Sequence, residues 1–307
     1  MTTETRSCPH CASGVRPQWL FCEGCGRDLS PPSDLDMSLL FSYGTGFSDG
    51  QTLDMGRVAA VTDRGHHRGR NEDAVAIGTL GQVGQVSAAV VCDGVASSPR
   101  SETAAKAATE AGLRELLAAT ARGDSPRTAT IAGAIAAGVA AADLGDPAED
   151  DPPCCTYVSA LVSGGTAVVG WVGDSPGYWA GAAGLRRLTV DDSIDGRLAA
   201  EGVPRADPRR AGSRAQALER WLGADAGAVT PKVHQFAPDA PGLLVVCSDG
   251  LSRYVDTGVV APAGHTCSPA AAVRTLLGRA LAAGGHDNVT VAALACPGPG
   301  DAGGSPP

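Results

Sequence analysis

The chain has no long apolar run. Its longest stretch of small apolar residues, Ile131 to Ala142, covers about twelve positions, whereas a membrane span needs about twenty. The N-terminus is polar, Met1-Thr-Thr-Glu-Thr-Arg6, and no apolar segment follows it as a secretory leader requires. Basic charge is scarce: 24 Lys and Arg stand against 33 Asp and Glu, giving a net charge of −9 and a pI near 5.1. That balance argues against non-specific nucleic-acid binding. Lysine itself is nearly absent, with only Lys106 and Lys232, which reads as codon bias. These absences leave a soluble, cytoplasmic protein with neither membrane nor nucleic acid as partner. Its 307 residues suffice for one large domain and an appendage.

Acid is present, and its placement is informative. Three apolar runs end in a carboxylate: Val86–Cys92 before Asp93, Thr166–Gly173 before Asp174, and Leu243–Cys247 before Ser248-Asp249. Two more follow one: Ala74–Ile77 after Glu72-Asp73, and Val289–Leu294 after Asp287-Asn288. Each run reads as a buried strand, and strands of the two kinds can lie antiparallel with their acidic tips on one sheet edge. Clustered carboxylates repel, so such a rim needs cations, and an all-oxygen set suits Mg²⁺ or Mn²⁺.

Three Ser-Pro pairs announce helices, over Ser98 to about Thr120, Ser125 to about Ala142, and Ser268 to about Ala283. Serine caps the free N–H groups and proline suits the first turn. Strands fill most of 57–92, 155–190, 229–247 and 289–295. Because strands and helices come in groups, the pattern predicts an α+β layered sandwich.

Ahead of this domain, Cys8-Pro-His-Cys11 and Cys22-Glu-Gly-Cys25 have the spacing of a closed tetrahedral Zn²⁺ site, structural because four thiolates leave no open position. Two disulfides or loose thiols are the other reading, which the missing export signal disfavours. The expected organisation is a zinc ribbon over 1–26, a linker over 27–56 with an apolar patch at Met37–Phe41, the main domain over 57–296, and a disordered tail over 297–307. The ribbon would be an adaptor that docks a further protein.

The neighbours of the carboxylates carry a resemblance. In order they read Thr62-Asp-Arg-Gly65, Arg68-Gly-Arg-Asn-Glu-Asp73, Val91-Cys-Asp-Gly-Val95, Val172-Gly-Asp-Ser175, Leu188-Thr-Val-Asp-Asp-Ser193, Trp221-Leu-Gly223, Val246-Cys-Ser-Asp-Gly-Leu251 and Gly285-His-Asp-Asn-Val-Thr290. Singly these are common turns; in this order they resemble the metal-dependent serine/threonine protein phosphatases of type 2C, the PPM family, over residues 57–295. The resemblance implies two packed antiparallel sheets flanked by helix layers, an αββα sandwich, and hydrolysis of phosphoserine and phosphothreonine by a water shared between two Mn²⁺ or Mg²⁺ ions. It implies that Asp93 bridges the ions, Asp249 and Asp287 hold one, and the Gly94 carbonyl and Glu72 serve the other. It further implies a third ion at Asp174 with Asp249, supporting roles for Asp73 and Asn288, and Arg68 as the phosphate-binding arginine. Substrates would be phosphoproteins made by Ser/Thr kinases.

The chain also departs from the family pattern. Asp93-Gly-Val-Ala-Ser-Ser98 lacks the Gly pair and the His or Met of many members, Gly173-Asp-Ser-Pro176 ends without Arg, and Cys154-Cys155-Thr156 replaces Gly-Thr-Thr. These departures keep open a second function, a phosphatase-like scaffold of low activity that binds phosphoproteins. The segment Ile194 to Arg220 corresponds to the family's flap. Its arginines 197, 205, 209, 210, 214 and 220 suggest either a basic surface that attracts phosphoproteins or an exposed variable loop.

Overall fold

The computed structural model describes residues 6–7, 13–15, 23–24, 37–43, 51–81, 85–212, 214–258 and 266–298. The zinc reading, which needs Cys8, Cys11, Cys22 and Cys25, lies outside these residues, as does the tail from residue 299. Arg6–Ser7 (β1) pairs antiparallel with Gly14–Val15 (β2), so the chain on either side of the first cysteine pair runs side by side.

The strands that follow are Met37–Tyr43 (β3), Gln51–Asp54 (β4), Val58–Asp63 (β5), Asp73–Leu80 (β6) and Val86–Asp93 (β7). Helices Ser101–Ala121 (α1) and Pro126–Ala142 (α2) come next. Then come Cys154–Cys155 (β8), Tyr157–Ser163 (β9), Thr166–Val172 (β10), Gly177–Gly181 (β11), Gly184–Arg187 (β12), Ile194–Ala200 (α3), Leu222–Gly223 (β13), Lys232–Phe236 (β14) and Gly242–Cys247 (β15). The series closes with Asp249–Asp256 (α4), Pro269–Ala282 (α5) and Val289–Cys296 (β16). Two six-stranded sheets result, in the orders β14-β10-β9-β7-β6-β3 and β12-β11-β15-β16-β5-β4, with antiparallel pairing throughout.

Period-two alternation assigns the core. Along β6, Ala74 and Ala76 face α1, while Val75 and Ile77 face the other sheet. Along β15, Leu243 and Val245 face α4 and α5, while Leu244 and Val246 point between the sheets. Both faces of the central strands are covered, which explains why they read as unbroken apolar runs although the sheets are antiparallel. The layers are helix, sheet, sheet, helix, as the α+β reading expected. Among the described residues, no helix is long and apolar enough to cross a membrane.

Three differences from the sequence reading have clear causes. Residues 37–43 and 51–54 are not linker: β3 pairs with β6 and β4 with β5, so each extends a sheet by an edge strand. The first helix begins at Ser101, because the Ser98 hydroxyl donates to the Pro152 carbonyl at 2.7 Å instead of capping, and Arg100 precedes the helix in a left-handed conformation with φ 58°. Asp249 opens a helix, α4, directly from the end of β15. Ser125 and Ser268 do cap α2 and α5, accepting from Thr128 N and Ala271 N.

Candidate active site

The acids meet at one end of the sandwich, drawn from both sheets and not from a single edge. Antiparallel register sets Asp73 directly opposite Asp93 at the mouths of β6 and β7. In the second sheet, β15 and β16 are paired, so Asp249 just past the one and Asp287 just before the other lie at the same end. Asp174 follows β10.

Local bonding holds each acid. The Asp93 backbone is clamped by Thr156, whose Oγ1 accepts from Asp93 N at 3.1 Å and whose N–H donates to Asp93 O at 2.8 Å. Thr156 Oγ1 also lies 2.7 Å from Ser175 Oγ, tying the Asp93 strand end to the turn that carries Asp174. Ser248 donates to Asp73 Oδ2 at 2.9 Å and accepts from Thr290 N at 3.1 Å, joining the two sheets beneath the acids. Gly94 follows Asp93 in a space that admits no side chain: a Cβ there would lie 2.8 Å from Glu72 O and 2.8 Å from Ser101 C. Asn288 anchors the loop that bears Arg68, donating from Nδ2 to Arg64 O and Arg70 O at 2.9 Å each and accepting from Glu72 N at 2.8 Å.

The electrostatics follow from this crowding. Burial pushes the Asp93 carboxyl well above its ordinary range, and the charges of Asp73, Asp249, Asp174 and Asp287 push it further. Asp73 is raised to about 7, mainly by burial, with Asp249 and Asp287 adding to it and hydrogen bonds from Thr290 and Ser248 opposing. Asp174 is raised by burial and then by Asp249 and Asp191. Asp73 Oδ1 is buried without a hydrogen-bond partner. Desolvated, mutually repelling carboxylates with an orphaned oxygen form a donor set that fits hard divalent cations.

Asp73 faces Asp93, whereas Glu72 Oε1 accepts from Ser101 Oγ at 3.0 Å and from Arg70 Nη2 at 2.8 Å. Arg68 grips Asp287 with both arms of its fork, Nε to Oδ1 at 2.6 Å and Nη2 to Oδ2 at 2.8 Å. Arg253, four residues after Asp249, reaches Asp249 Oδ2 at 2.7 Å and Asp287 Oδ2 at 3.5 Å. No three acidic, histidine or cysteine side chains among the described residues already enclose a common point. Sequence reasoning assigned no role to Thr156, Ser175, Ser248 or Arg253. Arg253 was legible as the i+4 neighbour of Asp249 once a helix is expected there, whereas Ser248 precedes α4 without capping it and bonds to Asp73 and Thr290, which no local signal marks.

Beside the acids runs a groove of about 550 Å³, bordered by Asp174, Asp249, Arg253, Arg187, Arg205 and Arg210. The flap segment is less basic than its sequence, since four of its arginines are paired with acids. Arg197 pairs with Glu201 and Glu219, Arg209 with Asp207, Arg210 with Asp195, and Arg220 with the buried Asp192.

A family model described as protein phosphatase 2C matches residues 64–277. The chain belongs to the protein phosphatase 2C family. It is 29% identical over 239 residues to the serine/threonine protein phosphatase PstP of Mycobacterium tuberculosis, covering 76% of this chain and 44% of that one. This protein phosphatase 2C member thus spans under half the length of that relative. Among solved structures it is similar to a PPM Ser-Thr phosphatase from Mycobacterium smegmatis in complex with cacodylate. The identity is 29% and the TM-score 0.57, over 77% of this chain and 97% of that one. It is also similar to the catalytic domain of PstP in complex with two manganese ions, at 26% identity and TM-score 0.55, over 84% and 99%. As a phosphatase 2C, the chain keeps an acid at each strand end of the motif series. Its departures at Val95 and Pro176 lie outside the strands, where Val95 N donates to Cys154 O at 3.1 Å and Cys247 N to Pro176 O at 3.1 Å, and the third departure forms β8.

Proposed function

We propose that this chain hydrolyses phosphoserine and phosphothreonine on proteins in a reaction that depends on Mn²⁺ or Mg²⁺. The supporting observation is the gathering of Asp73, Asp93, Asp174, Asp249 and Asp287 at one end of the sandwich, with raised proton affinities and an unpartnered buried oxygen. Asp93, Asp249 and Asp287 would hold one ion, Asp93, the Gly94 carbonyl and Glu72 a second with Asp73 beside it, and Asp174 with Asp249 a third. Bound there, divalent ions neutralise phosphate charge and lower the pKa of water for in-line attack at phosphorus. Arg68 releases Asp287 and takes two phosphate oxygens in its planar fork. Asn288 keeps the Arg68 loop seated, and Thr156 fixes the aim of Asp93.

The substrates we infer are products of Ser/Thr protein kinases, met in a reducing cytoplasm. The six cysteines among the described residues are free thiols, which fits that compartment. We further propose that Cys8, Cys11, Cys22 and Cys25 hold one structural Zn²⁺, a reading supported by their spacing, in a module that docks another protein.

The test is phosphate release from an aryl phosphate and from a phosphothreonine peptide, with and without Mn²⁺. Turnover should vanish in chelator and fall at least a hundredfold in Asp249→Asn. Equal rates with and without metal would end this reading. One observation favours a second reading, a phosphoprotein-binding scaffold of low activity: Arg68 and Arg253 both sit on the acids. Peptide binding without turnover in saturating Mn²⁺ would select it.

A further inference from the structure

Arg253 stands where two acids from different strand ends come together. Asp249 opens α4, and one helical turn later Arg253 lies on the same face. Its Nη2 is 2.7 Å from Asp249 Oδ2 and 3.5 Å from Asp287 Oδ2. Asp287 receives Arg68 as well. Arg68 has phosphate binding to account for it; Arg253 has nothing comparable. A bland account makes Arg253 a helix-stabilising i,i+4 partner. That pair is 41% and 33% exposed, so solvent screening leaves it little weight in stability. The account also does not explain the second contact, which crosses to the start of β16. Arg253 further borders the groove of about 550 Å³, so there is room for its guanidinium to turn aside without unfolding anything.

We propose that Arg253 is an internal competitor for the divalent ion at Asp249 and Asp287. Its guanidinium must leave the acid pair for the groove before that ion can bind. The inference rests on reading the acids as an ion site. Nη2 occupies lone pairs of Asp249 Oδ2 and Asp287 Oδ2 that a cation at about 2.0–2.1 Å would use. The two positive charges would also repel at that range. Arg253 therefore weakens loading of the ion that Asp93, Asp249 and Asp287 would share, and makes no contact with Asp73.

The test titrates Mn²⁺ into the metal-free full chain and reads free Mn²⁺ by electron paramagnetic resonance, with thermal unfolding as a check on the fold. Arg253→Gln should bind its tightest ion about tenfold more strongly than the parent. Arg253→Lys, a narrower single-point donor, should fall between, and Arg197→Gln on the flap should match the parent. Parent-like or weaker binding by Arg253→Gln overturns the role of Arg253 and leaves the ion site standing. If the glutamine variant does not fold, parent-like or weaker binding by Arg253→Lys overturns it in the same way. Absence of Mn²⁺ binding in parent and variants alike overturns both the inference and the site beneath it.

Discussion

At the scale of single residues, the site is a set of acids held against their own repulsion. Asp73 shows the consequence. Burial lifts its folded-state pKa to about 7, against about 3.9 in an unfolded chain. Between those values the folded protein binds more protons than the unfolded one, so stability falls as pH rises through that window. Asp93 and Asp174 are shifted the same way, chiefly by burial. Asp195 and Asp207 shift downward beside Arg210 and Arg209, but these are surface pairs of small weight. Metal-free protein should therefore melt several degrees higher at pH 5 than at pH 8, a difference on the order of 1–3 kcal/mol. Saturating Mn²⁺ should erase or invert that order, because a bound cation favours the ionised acids. A metal-free midpoint that climbs between pH 5 and pH 8 would contradict the crowding of these carboxylates.

At the scale of elements, the strand ends supply the acids and the strand edges supply the stability. β3 lies along β6, whose first residue is Asp73, and β4 lies along β5. Reading 27–56 as linker missed both, because the region is rich in Ser, Pro, Asp and Gly and its one short apolar patch is Met37–Phe41, the other apolar residues standing singly. A short edge strand carries half the hydrophobic signal of a central one, since only one face packs. A chain starting at Arg57 would leave the edges of β6 and β5 unpaired, an invitation to aggregation. We expect such a chain to melt well below one starting at Met37, by about 5 °C or more, and to form oligomers on size exclusion. Equal midpoints for the two chains would show that β3 and β4 are dispensable. The α4 helix was missed for a different reason: eight residues opened by Ser-Asp-Gly look like a turn until the end of β15 is seen to feed straight into it.

At the scale of the whole molecule, the sandwich brings together residues far apart in the chain. Asp73 and Ser248, 175 positions apart, share a hydrogen bond, and Arg68 reaches across 219 positions to Asp287. Such separations make the site depend on the complete two-sheet fold. The cysteine module should be separable from it. The full chain should carry one Zn²⁺ by elemental analysis, and a chain starting at Met37 should carry none while keeping its activity on an aryl phosphate. A zinc-free full chain would remove the ribbon, and lost activity in the shorter chain would give the module a role beyond docking.

The sequence alone determined the layers and the acid-rich strand ends. Period and run length reveal which strands are buried on both faces, Ser-Pro pairs mark α2 and α5, and acids at the strand ends announce an oxygen-rich site. These features are local, set by neighbours within a few residues, and so they can be read along a line. Tertiary structure alone decided which acids face one another and which cations sit between them. Antiparallel register turned Asp73 to Asp93 and left Glu72 with Ser101 and Arg70. Helix geometry at α4 carried Arg253 back onto Asp249 and across to Asp287. Registers and crossing contacts depend on the packing of both sheets at once, and that information is not held by any single segment of the chain.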